Sequence, residues 1–94
     1  MARTIKVNNG RIEEYENGSL RRTYGSNIKQ AAISDKTVVA VNNQGRIEEY
    51  VDGSFRRTFG NNITSVQISG DTVSATNAQN RIEEYVNGSF RRTY

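Results

Sequence analysis

Paired carboxylates and paired guanidinium groups recur three times in this chain at one spacing. Glu13-Glu14 precede Arg21-Arg22, Glu48-Glu49 precede Arg56-Arg57, and Glu83-Glu84 precede Arg91-Arg92. Adjacent carboxylates are candidates for general acid–base work, and adjacent arginines suit the clamping of an anion. What lies between them favours a different use. Asn17-Gly18, Asp52-Gly53 and Asn87-Gly88 separate the acids from the bases. These dipeptides tolerate positive φ at both central positions of a type I′ turn, the tight turn whose twist suits a β-hairpin. A two-residue loop sets Glu16 opposite Ser19, Tyr15 opposite Leu20, Glu14 opposite Arg21 and Glu13 opposite Arg22. The same count pairs Glu49 with Arg56, Glu48 with Arg57, Glu84 with Arg91 and Glu83 with Arg92. Tyr50 then faces Phe55, and Tyr85 faces Phe90. Each such pair contributes roughly 0.2–1 kcal/mol. The acids and bases therefore read as structural ion pairs that neutralise one another and fix strand register.

The elements that carry these pairs are copies of one hairpin. RIEEYENGSLRRTY (11–24), RIEEYVDGSFRRTF (46–59) and RIEEYVNGSFRRTY (81–94) start 35 residues apart. The segments between them, 25–45 and 60–80, are less faithfully copied, so the hairpin is the constant part. Such near-identity suits recent duplication, natural or engineered. Residues 3–9 read as a strand with Ile5 and Val7 on one face. Ile28–Ile33, Thr37–Val41, Ile63–Ile68 and Thr72–Thr76 read as further strands, and Thr37–Val41 is the most apolar and the most central. Corners fall at 25–27 and 60–62. The chain has no proline, and every connection is short. The expectation is one all-β repeat domain over residues 1–94, an antiparallel meander of eleven strands. Its units are 28–59 and 63–94, each of four strands, and 3–24, which lacks the first strand.

Composition closes several routes. Histidine and cysteine are absent, which removes thiol chemistry, zinc–thiolate sites and the usual general base at neutral pH. Asp35 and Asp71 lie in turns without the carboxylate cluster of a calcium loop. No Gly-rich stretch opens a helix to cradle phosphate. The reading is a protein with no cofactor and no catalytic activity. The net charge is +3, and the surplus sits in Arg3, Lys6, Lys29 and Lys36 outside the hairpins. No apolar run approaches membrane-spanning length. Met1-Ala2-Arg3-Thr4 lacks the apolar core of a secretory signal, so the cytoplasm is the default compartment.

The strand order and turn placement of 63–94, ITSVQISGDTVSATNAQNRIEEYVNGSFRRTY, and of 28–59 resemble the blades of β-propeller repeat proteins of the WD-repeat-like kind. No Gly-His pair is present, and Tyr15-Glu16, Tyr50-Val51 and Tyr85-Val86 stand where a Trp-Asp pair would. Propellers have about four to eight blades, and this chain holds fewer than three. The resemblance implies homo-oligomerisation: a dimer would make a six-bladed ring, a trimer a nine-bladed one. The alternatives are a pseudo-threefold monomer of β-trefoil or β-prism type, and a single-layer or barrel-like meander.

A self-assembling scaffold or binding module is the function this favours. A multivalent, lectin-like carbohydrate binder is the first alternative, with Asn42, Asn43, Gln44, Asn77 and Gln79 as ligand-binding residues, because side-chain amides donate and accept at once. Nucleic-acid binding through the arginine-rich hairpins is the second.

Overall fold

The computed structural model describes Arg3–Tyr94; Met1 and Ala2, part of the stretch read for a leader, lie outside the described residues. Eleven strands follow one another: β1 (Arg3–Asn8), β2 (Arg11–Glu16), β3 (Ser19–Tyr24), β4 (Ile28–Ser34), β5 (Thr37–Asn42), β6 (Ile47–Val51), β7 (Ser54–Phe59), β8 (Ile63–Ser69), β9 (Thr72–Asn77), β10 (Ile82–Val86) and β11 (Ser89–Thr93). They form three antiparallel sheets, β1-β2-β3, β4-β5-β6-β7 and β8-β9-β10-β11. The expected antiparallel meander is present, and among the described residues the first sheet has three strands and the other two have four. Among the described residues no helix is long and apolar enough to cross a membrane.

The sheets stack face to face, each on the next. Alternation along a strand sends neighbouring side chains to opposite faces, and the middle sheet uses both. Ile28, Val38, Ala40 and Tyr50 of the middle sheet pack against Ile12 and Tyr24 of the first, flanked by Ile5, Val7, Ala31 and Ile33. Val39, Val41, Ile47 and Phe59 pack toward the third with Ile63, Val66, Val73, Ala75 and Tyr85. This is why β5 is apolar from Val38 to Val41: that stretch has no solvent face. The sheets meet mainly through β1, β4, β5 and β8, while β3 and β7 reach the next sheet through the long side chains of Tyr24, Arg22, Phe59 and Arg57. The second sheet separates the first from the third. A threefold monomer would need those two to meet, and a single layer would leave both inter-sheet cores exposed, so neither alternative describes the chain.

The hairpin register differs from the simple count. Tyr15 faces Leu20, but Glu14 faces Arg22, Glu13 faces Thr23 and Ile12 faces Tyr24. A β-bulge makes Arg21 the extra residue, and it recurs at Arg56 and Arg91, so that Glu49 faces Arg57 and Glu84 faces Arg92. The expected pairs Glu14–Arg21 and Glu13–Arg22, with their copies, are replaced. The turn is as expected, with positive φ at Asn17 (52°) and Gly18 (84°). The cause lies further along the strand. A bulge shifts every later residue to the other face. It turns Tyr24 and Phe59 into the space between sheets, where they meet Tyr50 and Tyr85 at centroid distances of 5.0 and 4.9 Å. Without it these rings would point away from the next sheet, and two hydrophobic cores would lose an aromatic each.

Candidate functional site

The strand before each hairpin ends in asparagine: Asn8, Asn42 and Asn77. Asn42 is buried. Its Nδ2 donates to Glu48 Oε2 at 2.8 Å, and its Oδ1 accepts from the Gln44 and Arg46 amides at 3.0 and 3.1 Å. The other oxygen of Glu48 accepts from the Tyr50 hydroxyl at 2.6 Å. Asn77, Glu83 and Tyr85 repeat this clamp, with the Gln79 and Arg81 amides in place. In the first unit Asn8 and Tyr15 donate to Glu13 at 3.2 and 2.7 Å. The clamp accounts for the first glutamate of each pair: it holds a loop and takes no arginine. It also moves the tyrosines. Burial and then the bond to Glu83 push Tyr85 up to about 12, and burial and the bond to Glu48 raise Tyr50 likewise. Glu13 is held below the usual carboxylate range, first by the Tyr15 hydroxyl and then by Asn8.

Over the second clamp lies a cleft of about 230 Å³ lined by Ser26, Asn27, Asn42, Asn43, Gln44 and Glu48. Three of the five ligand-binding candidates, Asn42, Asn43 and Gln44, are thus brought together with the corner at 25–27. Asn77 and Gln79 sit in the corresponding loop of the next unit, and the two loops do not converge on one cavity. Asn42 and Asn77 spend their amides inside the fold. Asn43, Gln44 and Gln79 have exposed side chains. Among the described residues no three acidic side chains come together to hold a metal ion.

The second glutamate of the first two pairs faces the neighbouring sheet, while Glu84 stands on the free outer face of the third. Glu14 is 2 % exposed. Its Oε1 accepts from the Tyr24 hydroxyl at 3.1 Å, with Arg22 Nε at 3.9 Å, while its Oε2 has no hydrogen bond among the described residues and lies 3.6 Å from Arg3 Nη1. Arg3 also reaches across to Asp52 at 3.1 Å, and this bond holds the Asp52 carboxyl below its ordinary value. Glu49 and Glu84 pair with Arg57 and Arg92 at 3.7 and 3.3 Å. Arg21, displaced by the bulge, turns back to Glu16.

Arginine also joins each hairpin to the next. A Cβ placed on Gly53 would lie 2.6 Å from Arg22 Cδ, and one on Gly88 would lie 2.6 Å from Arg57 Cδ. The guanidinium stems therefore lie against the following turn, in space that any larger residue would fill. On the inner side, the Gln30 amide joins β4 to the backbone of β8, accepting from Val66 N at 2.7 Å and donating to Val66 O at 3.1 Å.

Sequence reasoning missed the asparagine clamp, the bulge and the Arg3 bridge. An asparagine at the head of all three hairpins was the available signal for the clamp. An aromatic at the end of all three was the signal for the bulge. Nothing marked Gln30.

Residues 1–54 and 36–94 each match the family model described as Helicobacter pylori IceA2 protein. No curated protein matches the chain.

Proposed function

This chain belongs to the IceA2 family, and from the geometry of its repeats we propose that it is a self-assembling scaffold of propeller-type blades, with no catalytic activity, that adds copies head to tail. The observation that carries this is a pair of inter-sheet contacts repeated with the unit. Tyr24 meets Tyr50 and Phe59 meets Tyr85; Arg22 covers Gly53 and Arg57 covers Gly88. The next members of both series are Tyr94 and Arg92, and both are exposed. Their complements, Tyr15 and Gly18, stand on the opposite end of the stack, and among the described residues nothing lies within 4 Å of a Cβ placed on Gly18. One end thus carries the donor half of the contact and the other end the acceptor half. A second copy satisfies both in a heterologous interface, which closes into a ring or continues as an array.

The end faces are more polar than the internal ones. Ser74 and Thr76 stand where the middle sheet has Val39 and Val41, and Thr4 and Lys6 stand where it has Val38 and Ala40. Contact between copies is accordingly weaker than contact between sheets and depends on concentration. Cysteine cross-linking tests the geometry, because the chain has no cysteine of its own. Tyr94→Cys mixed with Tyr15→Cys should form a disulfide-linked pair under mild oxidation, and neither variant alone should do so efficiently. No mixed pair from two folded variants would refute the head-to-tail reading.

The cleft at Asn43, Gln44 and Asn27 supports a second reading, a module for hydroxyl-rich ligands such as carbohydrate, repeated around the assembly so that weak sites gain avidity. A glycan array probed at high protein concentration tests it, and a blank array removes it.

A further inference from the structure

The two clefts between successive sheets share one plan but differ in their polar residues, with Asp52 and Lys36 at the first standing where Asn87 and Asp71 stand at the second. Position for position, Arg3 of β1 corresponds to Thr37 of β5, Glu14 to Glu49, and Tyr24 to Phe59. In the first cleft the Arg3 guanidinium lies between Asp52 and Glu14, and the Tyr24 hydroxyl supplies a further donor to Glu14. In the second cleft Thr37 is too short to repeat this, and Phe59 has no hydroxyl. Glu49 is 7 % exposed, yet among the described residues it makes no hydrogen bond; its charged neighbour is Arg57, with Nε at 3.7 Å. Its oxygens are not sealed from solvent, so a cationic donor can reach them from outside and replace the water they would otherwise hold. About 90 Å³ of space remains in front of it, lined by Thr37, Glu49, Arg56, Asp71 and Asn87 among others. Asp71 and Asn87 supply further acceptors.

We propose that the cleft between the second and third sheets binds an alkylguanidinium group from outside the protein, in the role that Arg3 fills within the first cleft. The rival occupant is Arg56. Its counterpart Arg21 is tied to Glu16, whereas Val51 stands at that position in the second hairpin and leaves Arg56 without this partner. Arg56 is exposed, at the mouth of the cleft. This proposal is independent of self-assembly.

Agmatine is the probe, followed by calorimetry and by amide chemical shifts of β5, β6 and β9. The expected result is one saturable site per chain. Glu49→Gln should weaken it about ten- to a hundredfold, the range for a hydrogen bond to a charged partner. Thr37→Arg should abolish it by filling the cleft from within, without lowering the melting temperature. Arg3→Thr should open the first cleft and raise the stoichiometry to two, a gain that a misfolded variant would not give. Absence of saturable binding overturns the proposal. So does binding indifferent to Glu49→Gln and Thr37→Arg, which would place agmatine elsewhere. Binding that appears only after Arg56→Ala overturns it as well, since Arg56 would then be the resident group.

Discussion

Replacing the buried Asn42 with alanine removes three hydrogen bonds from the loop it closes. The Glu48 carboxylate loses a donor at 2.8 Å, and the Gln44 and Arg46 amides lose the acceptor they share at 3.0 and 3.1 Å. A buried polar group left without its partner costs about 1–3 kcal/mol. Water entering from the open side of the loop satisfies part of this, so the net loss is about 2–4 kcal/mol. For a chain of this length each kcal/mol moves the melting temperature by about 4–8 °C, and Asn42→Ala should lower it by about 10 °C or more. The neighbouring Asn43→Ala should change stability by no more than about 0.5 kcal/mol, since its side chain is exposed. Asn77→Ala should resemble Asn42→Ala. Asn8→Ala should cost less, because Asn8 is exposed and its side chain holds only Glu13, at 3.2 Å. Thermal melts by circular dichroism, backed by urea titration, give the ranking directly. If Asn42→Ala and Asn43→Ala were equally mild, the clamp would be dispensable and the division between structural and available asparagines would fail.

Other consequences are quickly checked. A double-mutant cycle should find coupling between Glu14 and Arg22 and near-zero coupling between Glu14 and Arg21; the reverse would restore the unbulged register. Tyr24→Phe should cost about 1–2 kcal/mol by taking a donor from a buried carboxylate, while Phe59→Tyr at the equivalent place should cost less or stabilise, as measured by urea unfolding. Tyr85 ionises at about 12 in the folded chain, above its ordinary value of 10. Its contribution to stability is therefore complete below about pH 10 and is lost as pH rises toward 12. Phenolate absorbance should show Tyr85 and Tyr50 ionising late, together with unfolding, and early ionisation of these two would contradict their burial.

Much of the strand plan was readable because its signals are local. Asn-Gly and Asp-Gly fix a turn whatever surrounds them, and alternating apolar residues such as Ile5 and Val7 mark a strand face. The all-apolar run Val38–Val41 marked β5 as central, and it lies between two sheets. The bulge was not readable by counting from the turn, because its cause is tertiary. Arg21 is set aside so that Tyr24, three residues on, can reach Tyr50 in another sheet. The fate of the glutamates was half legible. That each pair is structural follows from the hairpin, but only the stacking of sheets shows that Glu14 faces Arg3 and Tyr24 while Glu13 is spent on Asn8 and Tyr15. The candidate loop Asn42-Asn43-Gln44 was found from residue type, yet type alone could not separate Asn42, which closes the loop, from Asn43, which remains available.

The central claim is that the unmatched contacts at the two ends of the stack are filled by further copies of the chain. Sedimentation equilibrium over a wide concentration range tests it most directly. The account predicts a mass that rises from near 10.6 kDa to a multiple of it, with Arg92→Ala and Tyr94→Ala each shifting the transition to higher concentration while leaving the fold intact. A single species of 10.6 kDa at every concentration, unmoved by either substitution, would contradict it.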